Sequence, residues 1–423
     1  MCHSDLILFI FSFSVLLFVA IAFGRLAQKL GMPKIIGELL GGIVFGPTVL
    51  GTFFPETQNW LFSYSDSILV SRDVLIKFSA ILLLFIIGLE VNLSKVKELK
   101  KTIIWISLFG SVFPFVLGVA SVFLFPRVWN YVPSQNEWLL PLFIGTALSI
   151  SALPVIARIL MDLGMLKSKV GSIILATATI DDIVGWILFA LITAYFVPSG
   201  VSQINPLITV AIVLAMFFFV ITYGNGLTKK FIAWSEKKED GDNLFLGLTL
   251  VLVLAFSALT ERIGINAVLG AFLVGLAFSN CESHKMHDSL RKVVMSVFSP
   301  LYFVSVGLGV NLIKNFDMTL ALIVLAIAII GKVGGVWMGA KISKLSDRES
   351  LAVGFGMNAR GAVGIILVTS AHQAGIIDER VYVALLVMAI ITSLISGPMM
   401  KKILENYYGI AGTEEERRRI LTS

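Results

Sequence analysis

The sequence predicts an all-helical (all-α) membrane protein of 13 transmembrane helices, with spans 1–6 and 8–13 forming an inverted repeat around two crossed, broken helices. Three observations point there. The first is composition: 57% of the 423 residues are hydrophobic and 14% are charged. With a mean hydropathy of +0.92, this lies far outside the range of soluble proteins. The second is a run of thirteen apolar windows, and the third is a pair of sequence matches seven windows apart.

The windows cover approximately 5–28, 34–51, 73–92, 102–125, 138–161, 168–197, 204–227, 243–260, 264–280, 292–312, 317–341, 350–374 and 380–403. Most have the length a helix needs to cross about 30 Å of hydrocarbon. Several carry Gly, Pro, Ser or Thr, which suits helices packed on helices. In the first window, Ala20-Ile21-Ala22 mimics a leader-cleavage site. No Lys or Arg precedes it, only His3 and Asp5, whereas a secretory leader starts basic, so Leu6–Gly24 reads as a membrane helix. Two cysteines, Cys2 and Cys281, exclude a disulfide framework and an iron–sulfur protein.

The net charge of +6 sorts by membrane side and does not point to nucleic acid. Segments after odd-numbered spans hold most of the basic residues, among them Arg25, Lys29, Lys34, Lys95–Lys101, Lys229, Lys230, Lys341 and Arg417–Arg419. Arg72, Lys77, Arg127, Arg262, Lys314 and Arg380 fall on the other side. The positive-inside rule then places the N-terminus outside and the C-terminus in the cytoplasm. Arg158, Lys332 and Arg360 lie within spans or at their ends.

Span 3 ends Gly88-Leu89-Glu90-Val91-Asn92-Leu93, and span 10 ends Gly307-Leu308-Gly309-Val310-Asn311-Leu312. Gly37, Leu40, Gly42 and Phe45 of span 2 recur in span 9 as Gly270, Leu273, Gly275 and Phe278. Both matches pair span n with span n+7. Seven is odd, so the two copies must cross the bilayer in opposite senses, with span 7 (about 204–227) as connector. Alternating-access transporters are built this way.

In this repeat span 5 pairs with span 12, and both are interrupted. Span 5 reads Thr146-Ala147-Leu148-Ser149-Ile150-Ser151-Ala152-Leu153-Pro154, and span 12 reads Gly354-Phe355-Gly356-Met357-Asn358-Ala359-Arg360-Gly361-Ala362. Pro154 removes a helix hydrogen bond. Interrupted helices in matching positions mark a transporter's site, because half-helix ends present partial charges and carbonyls at membrane depth.

Asp181 and Asp182 sit mid-way along span 6. A charge at the bilayer centre costs roughly 2.5–3.5 kcal/mol on insertion scales, so such acids point to a site for a proton, a cation, or both in turn. Neighbours on a helix point about 100° apart, so one acid can line a cavity while the other pairs elsewhere. Lys332, inside Gly331-Lys332-Val333-Gly334-Gly335, is the natural partner, and its glycines admit a close helix neighbour. Thr177, four residues before Asp181, shares its face and is expected to hydrogen-bond it. Hard monovalent cations prefer oxygen, here from Asp182, Ser151 and freed carbonyls. Burial raises a carboxylate's proton affinity and a nearby ammonium lowers it, so proton and cation compete for one site.

These residues resemble a known family. Gly37–Gly51, Leu84–Leu93, Thr146–Leu160, Ile180–Gly185, Gly331–Gly335 and Gly354–Leu367 are similar to bacterial sodium/proton antiporters of the monovalent cation:proton antiporter-2 family. The resemblance implies antiport of H+ against Na+ by elevator-type alternating access, without an organic cofactor. It implies a homodimer in the bacterial inner membrane. The scaffold would comprise spans over about 5–92 and 243–312, and the moving core spans over about 102–197 and 317–403. It implies that Asp182 carries the ion, that Asp181 pairs with Lys332, and that Ser151 stands where many relatives have Thr. Thr146, Ser149, Pro154, Thr177, Asn358, Arg360 and Gly361 would support the broken-helix site. Two acids with one lysine imply electrogenic exchange.

Two departures matter. Ala362 stands where relatives often carry Glu, and Ser151–Arg158 also resembles K+/H+ members, which keeps K+ or Li+ as alternative cargo. The nucleotide-binding domain of potassium-efflux relatives is not expected, since about 20 residues follow span 13. Cys281–Asp288 and Glu414–Arg419 read as solvated segments, and Glu90 and Arg158 as anchors at span ends. An enzyme is not expected: an aspartyl protease needs facing acids from different helices, and a prenyltransferase needs a further acid where Ile183-Val184-Gly185 follows. A cation channel shares the site chemistry but not the repeat.

Overall fold

The computed structural model describes residues 3–30, 32–62, 65–90, 100–131, 137–163, 165, 168–196, 206–235, 241–263, 267–279 and 284–408. Every regular element among them is helical. In chain order they are α1 (His3–Lys29), α2 (Lys34–Phe45), α3 (Asp66–Glu90), α4 (Lys100–Leu124), α5 (Leu139–Ser149), α6 (Leu153–Asp162), α7 (Lys169–Phe196), α8 (Pro206–Phe219), α9 (Asn225–Ser235), α10 (Gly241–Arg262), α11 (Ala267–Phe278), α12 (His284–Val293), α13 (Ser299–Leu308), α14 (Met318–Ile342), α15 (Asp347–Met357), α16 (Ala362–Gln373) and α17 (Glu379–Tyr408). Single π-helical turns, Val220–Gly224 and Val294–Phe298, join α8 to α9 and α12 to α13. Short helices Leu50–Phe53, Pro55–Phe62 and Leu312–Asn315 complete the set.

Nine helices among the described residues are long and apolar enough to cross a membrane. The other four expected spans differ for identifiable reasons. Span 3 is α3, whose first half carries Arg72, Asp73 and Lys77. Spans 5 and 12 are each split in two, as α5/α6 and α15/α16. Span 9 is α11, 12 residues long and so about 18 Å at 1.5 Å per residue. Glu90 and Arg158 fall in helices, but their side chains lie outside the described residues, as do Cys281–Glu282–Ser283 and Glu414–Arg419.

The chain divides into two compact units, Met1–Val91 with Pro198–Phe316, and Asn92–Val197 with Asp317–Ser423. In the first unit, backbones meet at glycine. A Cβ on Gly42 would lie 2.0 Å from the Val304 carbonyl oxygen, and one on Gly307 2.1 Å from that of Leu39, so α2 and α13 touch only because both lack side chains there. The same contact recurs between α11 and α3: a Cβ on Gly275 would lie 2.2 Å from the Phe85 carbonyl oxygen, and one on Gly88 2.5 Å from that of Phe272. Gly37 meets the Phe23 carbonyl of α1, and Gly270 meets the Phe256 carbonyl of α10. The glycines that match in sequence thus make matching contacts. Leu16, Val19, Ala20, Leu61, Phe62, Leu301, Val304 and Leu308 form a buried apolar cluster beside them.

In the second unit, α14 presents small residues every fourth position to α4. Gly331 abuts Pro114, Gly335 the Phe109 carbonyl and Gly339 the Trp105 carbonyl. This seats Lys332 deep against its neighbours. Asp317 caps α14 by accepting from the Leu320 N–H at 2.9 Å and pairs with Arg380 at 2.9 Å. Arg380 also donates to the Val128 carbonyl at 2.7 Å, so the start of α17 is tied both to the start of α14 and to the segment that follows α4. At the start of α15, Ser346 and Glu349 form a capping box, and Glu349 reaches Lys169 of α7 at 3.4 Å.

Candidate ion-binding site

The two breaks meet each other. Helix α5 stops at Ser149, and Ile150 turns extended. Helix α15 stops at Met357, and Gly361 is extended before α16. The Ala152 N–H donates to the Ala359 carbonyl at 3.0 Å, and the Ser151 hydroxyl lies 2.7 Å from the Met357 carbonyl oxygen. Gly361 permits the approach: a Cβ there would lie 2.4 Å from Val155 Cγ2. The break precedes Pro154, which falls at the second residue of α6, where its missing N–H leaves no hydrogen bond unmade.

A helix end leaves carbonyls unpaired and carries partial negative charge. At the end of α5 this charge is met by two buried cations. The Arg360 guanidinium donates to the carbonyls of Ala147 (2.8 Å), Leu148 and Ile150. The Lys332 ammonium takes the remaining one, Ser149, at 2.6 Å. These carbonyls, expected from sequence to be free for a cation, are therefore occupied by protein cations. The Arg360 backbone is itself pinned by Ser393, whose hydroxyl accepts from the Arg360 N–H at 3.1 Å and bonds the Arg360 carbonyl.

Lys332, with no exposed surface, also pairs with Asp181 Oδ2. The Ser151 hydroxyl lies 3.0 Å from the same oxygen, and the Ser111 hydroxyl donates to Oδ1 at 3.0 Å. Both oxygens of Asp181 are thus engaged, from α4, α14 and the α5 break. Asp182, next along α7, is fully buried. Its neighbour in the sequence determines its place: one helical step moves it about 100° around α7.

The structure brings Asp181, Lys332, Ser151, Ser149 and Arg360 together, while some expected roles change. Ser151 joins Asp181 rather than offering its oxygen beside Asp182. Thr146 and Ser149 turn their hydroxyls back to Leu142 and Thr146 carbonyls of their own helix, both at 2.8 Å. Ser149 contributes to the site through its carbonyl instead. Thr177 is buried but does not bond Asp181, and its hydroxyl makes no hydrogen bond among the described residues; the oxygens of Asp181 are taken by Ser111, Ser151 and Lys332. Asn358 is fully buried at the end of α15, its amide oxygen and nitrogen unbonded among the described residues. Sequence reasoning missed Ser111 and Ser393, since a lone serine in an apolar span carries no signal of its own.

The arrangement pairs each buried cation with a carboxylate or a helix end. Lys332 offsets Asp181, Arg360 offsets the α5 end, and a further carboxyl stands adjacent on α7.

Comparison with known proteins agrees. The sequence profile of the family described as "Sodium/hydrogen exchanger, transmembrane" matches residues 13–406. The chain is 30% identical to the Na(+)/H(+) antiporter NhaS4 of Synechocystis over 406 residues, 95% of this chain and 98% of that protein. It is 32% identical to Cation/H(+) antiporter 17 of Arabidopsis thaliana over 89% of its length, and spans about half (46%) of that longer relative. It is 28% identical to K(+)/H(+) antiporter 1 of Saccharomyces cerevisiae, again spanning under half (47%) of that protein. Among solved structures it is similar in fold to the sodium proton antiporter MjNhaP1 of Methanocaldococcus jannaschii, with a TM-score of 0.65, 18% identity, and coverage of 95% and 97% of the two chains. The chain belongs to the transmembrane sodium/hydrogen exchanger family.

Proposed function

We propose that the chain is a secondary active antiporter that exchanges protons for a monovalent cation, Na+ in the first instance. The observation that carries this reading is the engagement of Asp181 by Ser111, Ser151 and Lys332 directly beside a second fully buried acid, Asp182. Asp181 keeps its negative charge through the cycle, with Lys332 as its counter-charge in this state. Asp182 is then the group that binds proton or cation in turn. A cation and a proton exclude each other at one carboxylate, and alternating access converts the exclusion into exchange.

The repeat is part of the proposal. Matching glycine contacts of α2 with α13 and of α11 with α3 support two related halves and, with them, two near-equivalent states of one chain. In this reading the second unit is the moving core and the first the scaffold, which also supplies a homodimer contact. The N-terminus faces outward and the C-terminus the cytoplasm of a bacterial inner membrane. Exchange is electrogenic: when Asp182 takes the cation, Asp181 releases Lys332, which carries a second proton on the return. K+ is the second candidate cargo, favoured by the Ser151–Arg158 run and by the yeast relative's K(+)/H(+) name.

The test is proton flux from purified protein in proteoliposomes, with Na+, K+ and Li+ supplied in turn under an imposed membrane potential. Cation-dependent proton movement that quickens with an inside-negative potential is expected, since a net charge gains about 2.3 kcal/mol per 100 mV. Steady ion currents without proton coupling would identify a channel instead.

A further inference from the structure

A second buried carboxylate lies outside this site, in the first unit. Glu38 of α2 is 1% exposed. One oxygen, Oε1, meets the Lys34 ammonium at 3.2 Å. The other, Oε2, is buried and makes no hydrogen bond among the described residues. A buried carboxylate with half its acceptors unmet is a poor choice for packing alone.

The matching half of the unit shows that packing does not require it. The register that aligns Gly37 with Gly270 and Gly42 with Gly275 places Ala267 opposite Lys34 and Ala271 opposite Glu38. Ala271 is as buried as Glu38. Across the interface the volumes are exchanged. On α1, Gly24 leaves room for the pair: a Cβ there would lie 3.0 Å from Lys34 Cγ and 3.3 Å from Glu38 Cγ. On α10 the corresponding position is Ser257. One half of the repeat thus carves a notch for an ion pair that the other half fills with alanine.

The surroundings leave Lys34 in charge of this acid. Positions 34, 37, 38 and 41 of α2 face α1. The basic residues at that end of α1, Arg25 and Lys29, point outward and are exposed. On the other face, α13 carries no ionisable side chain but Tyr302, and the short helix Leu50–Phe53 carries none. Lys34 is a third exposed along its side chain, so it connects the buried acid to the aqueous side on which it lies, the cytoplasmic side by the charge pattern of the sequence.

We infer that Glu38 and Lys34 form a proton-binding site separate from the exchange site, which reads the pH on the Lys34 side of the membrane. Protonation of Glu38 satisfies the buried position without a charge and frees the Lys34 ammonium to turn into water. Deprotonation draws it back across the Gly24 notch. The proton stays on Glu38 and is not passed to Asp182, so the site tunes exchange rather than performing it.

The direct test does not depend on transport. pH-difference infrared spectra of the full chain in lipid should show a carboxylic-acid band that Glu38→Gln removes. Lys34→Gln should move that band's titration to higher pH, because loss of an ammonium favours the neutral acid. Glu38→Ala, which installs the residue of the matching half, serves if the amide variant fails to fold. In proteoliposomes, Glu38→Gln should flatten the dependence of proton flux on pH while leaving the apparent cation affinity at the optimum unchanged. The inference is overturned if no band responds to either substitution at position 38. It is equally overturned if the band responds but Lys34→Gln leaves it in place.

Discussion

The two helix breaks of the second unit are closed by opposite chemistry. After Ser149, the freed carbonyls of Ala147, Leu148, Ser149 and Ile150 all receive bonds from cations, Arg360 and Lys332. After Met357, the donors to the carbonyls of Met357, Ala359 and Arg360 among the described residues are neutral: the Ser151 hydroxyl, whose single proton Met357 shares with Asp181, the Ala152 N–H and the Ser393 hydroxyl. Two chemically similar helix ends therefore differ by two full charges. Positive charge is fixed at the break that adjoins Asp181, and the other break stays neutral with the Asn358 amide buried at its tip.

The asymmetry can be broken in graded steps. The largest effect should come from Arg360→Ala, which uncaps three buried carbonyls together. A loss of about 3–5 kcal/mol is expected, visible as a strong fall in melting temperature in detergent, and Arg360→Lys should recover only part of it because an ammonium lacks the planar fork. Next is Lys332→Met, which strands Asp181 and should destabilise by about 3 kcal/mol. Combined with Asp181→Asn, most of that loss should return; two losses that simply add would mean that the ion pair contributes nothing as a pair. At the neutral break, Ser393→Ala should lower stability by only ~1 kcal/mol. An effect as large as that of Arg360→Ala would erase the contrast between the two ends.

The smallest effect concerns the far end of α15. Burial alone would raise the Glu349 carboxyl. The bonds from the Ser346 N–H and hydroxyl and the Lys169 ammonium outweigh it and hold the group below the usual carboxylate range. A depressed value adds stability that is present above the ordinary carboxylate range and is lost as pH falls through it. Glu349→Gln should cost about 0.5–1 kcal/mol at neutral pH and make the acid limb of the melting curve less steep. An unchanged acid limb would show that the capping box does not titrate.

Much of this was legible in the sequence because lone charges in an apolar span demand partners. Asp181 and Lys332 found each other on that ground alone, 151 residues apart. The glycine spacing of α2 and α11 likewise announced contacts that recur in the structure. Other features depend on three-dimensional placement that no local pattern carries. Arg360 read as a charged member of the site, yet its bonds go to a helix end more than 200 residues away. Pro154 marked the interruption correctly but lies inside the following helix, because a proline is tolerated in a first turn. Thr177 shares a helix face with Asp181, but periodicity cannot show that Ser111 and Ser151 already fill its oxygens. Spans 5 and 12 differed for the same reason: length and hydropathy do not see a helix that stops half-way.

The central claim is that Asp181 is the fixed charge and Asp182 the exchanging one. It is tested most directly by reconstituting Asp182→Asn beside the wild type and measuring cation-driven proton flux in proteoliposomes. The account expects the variant to fold and melt at least as high as the wild type, since one buried charge is gone, and to show no cation-coupled flux at any pH. Near-normal exchange by folded Asp182→Asn would contradict it.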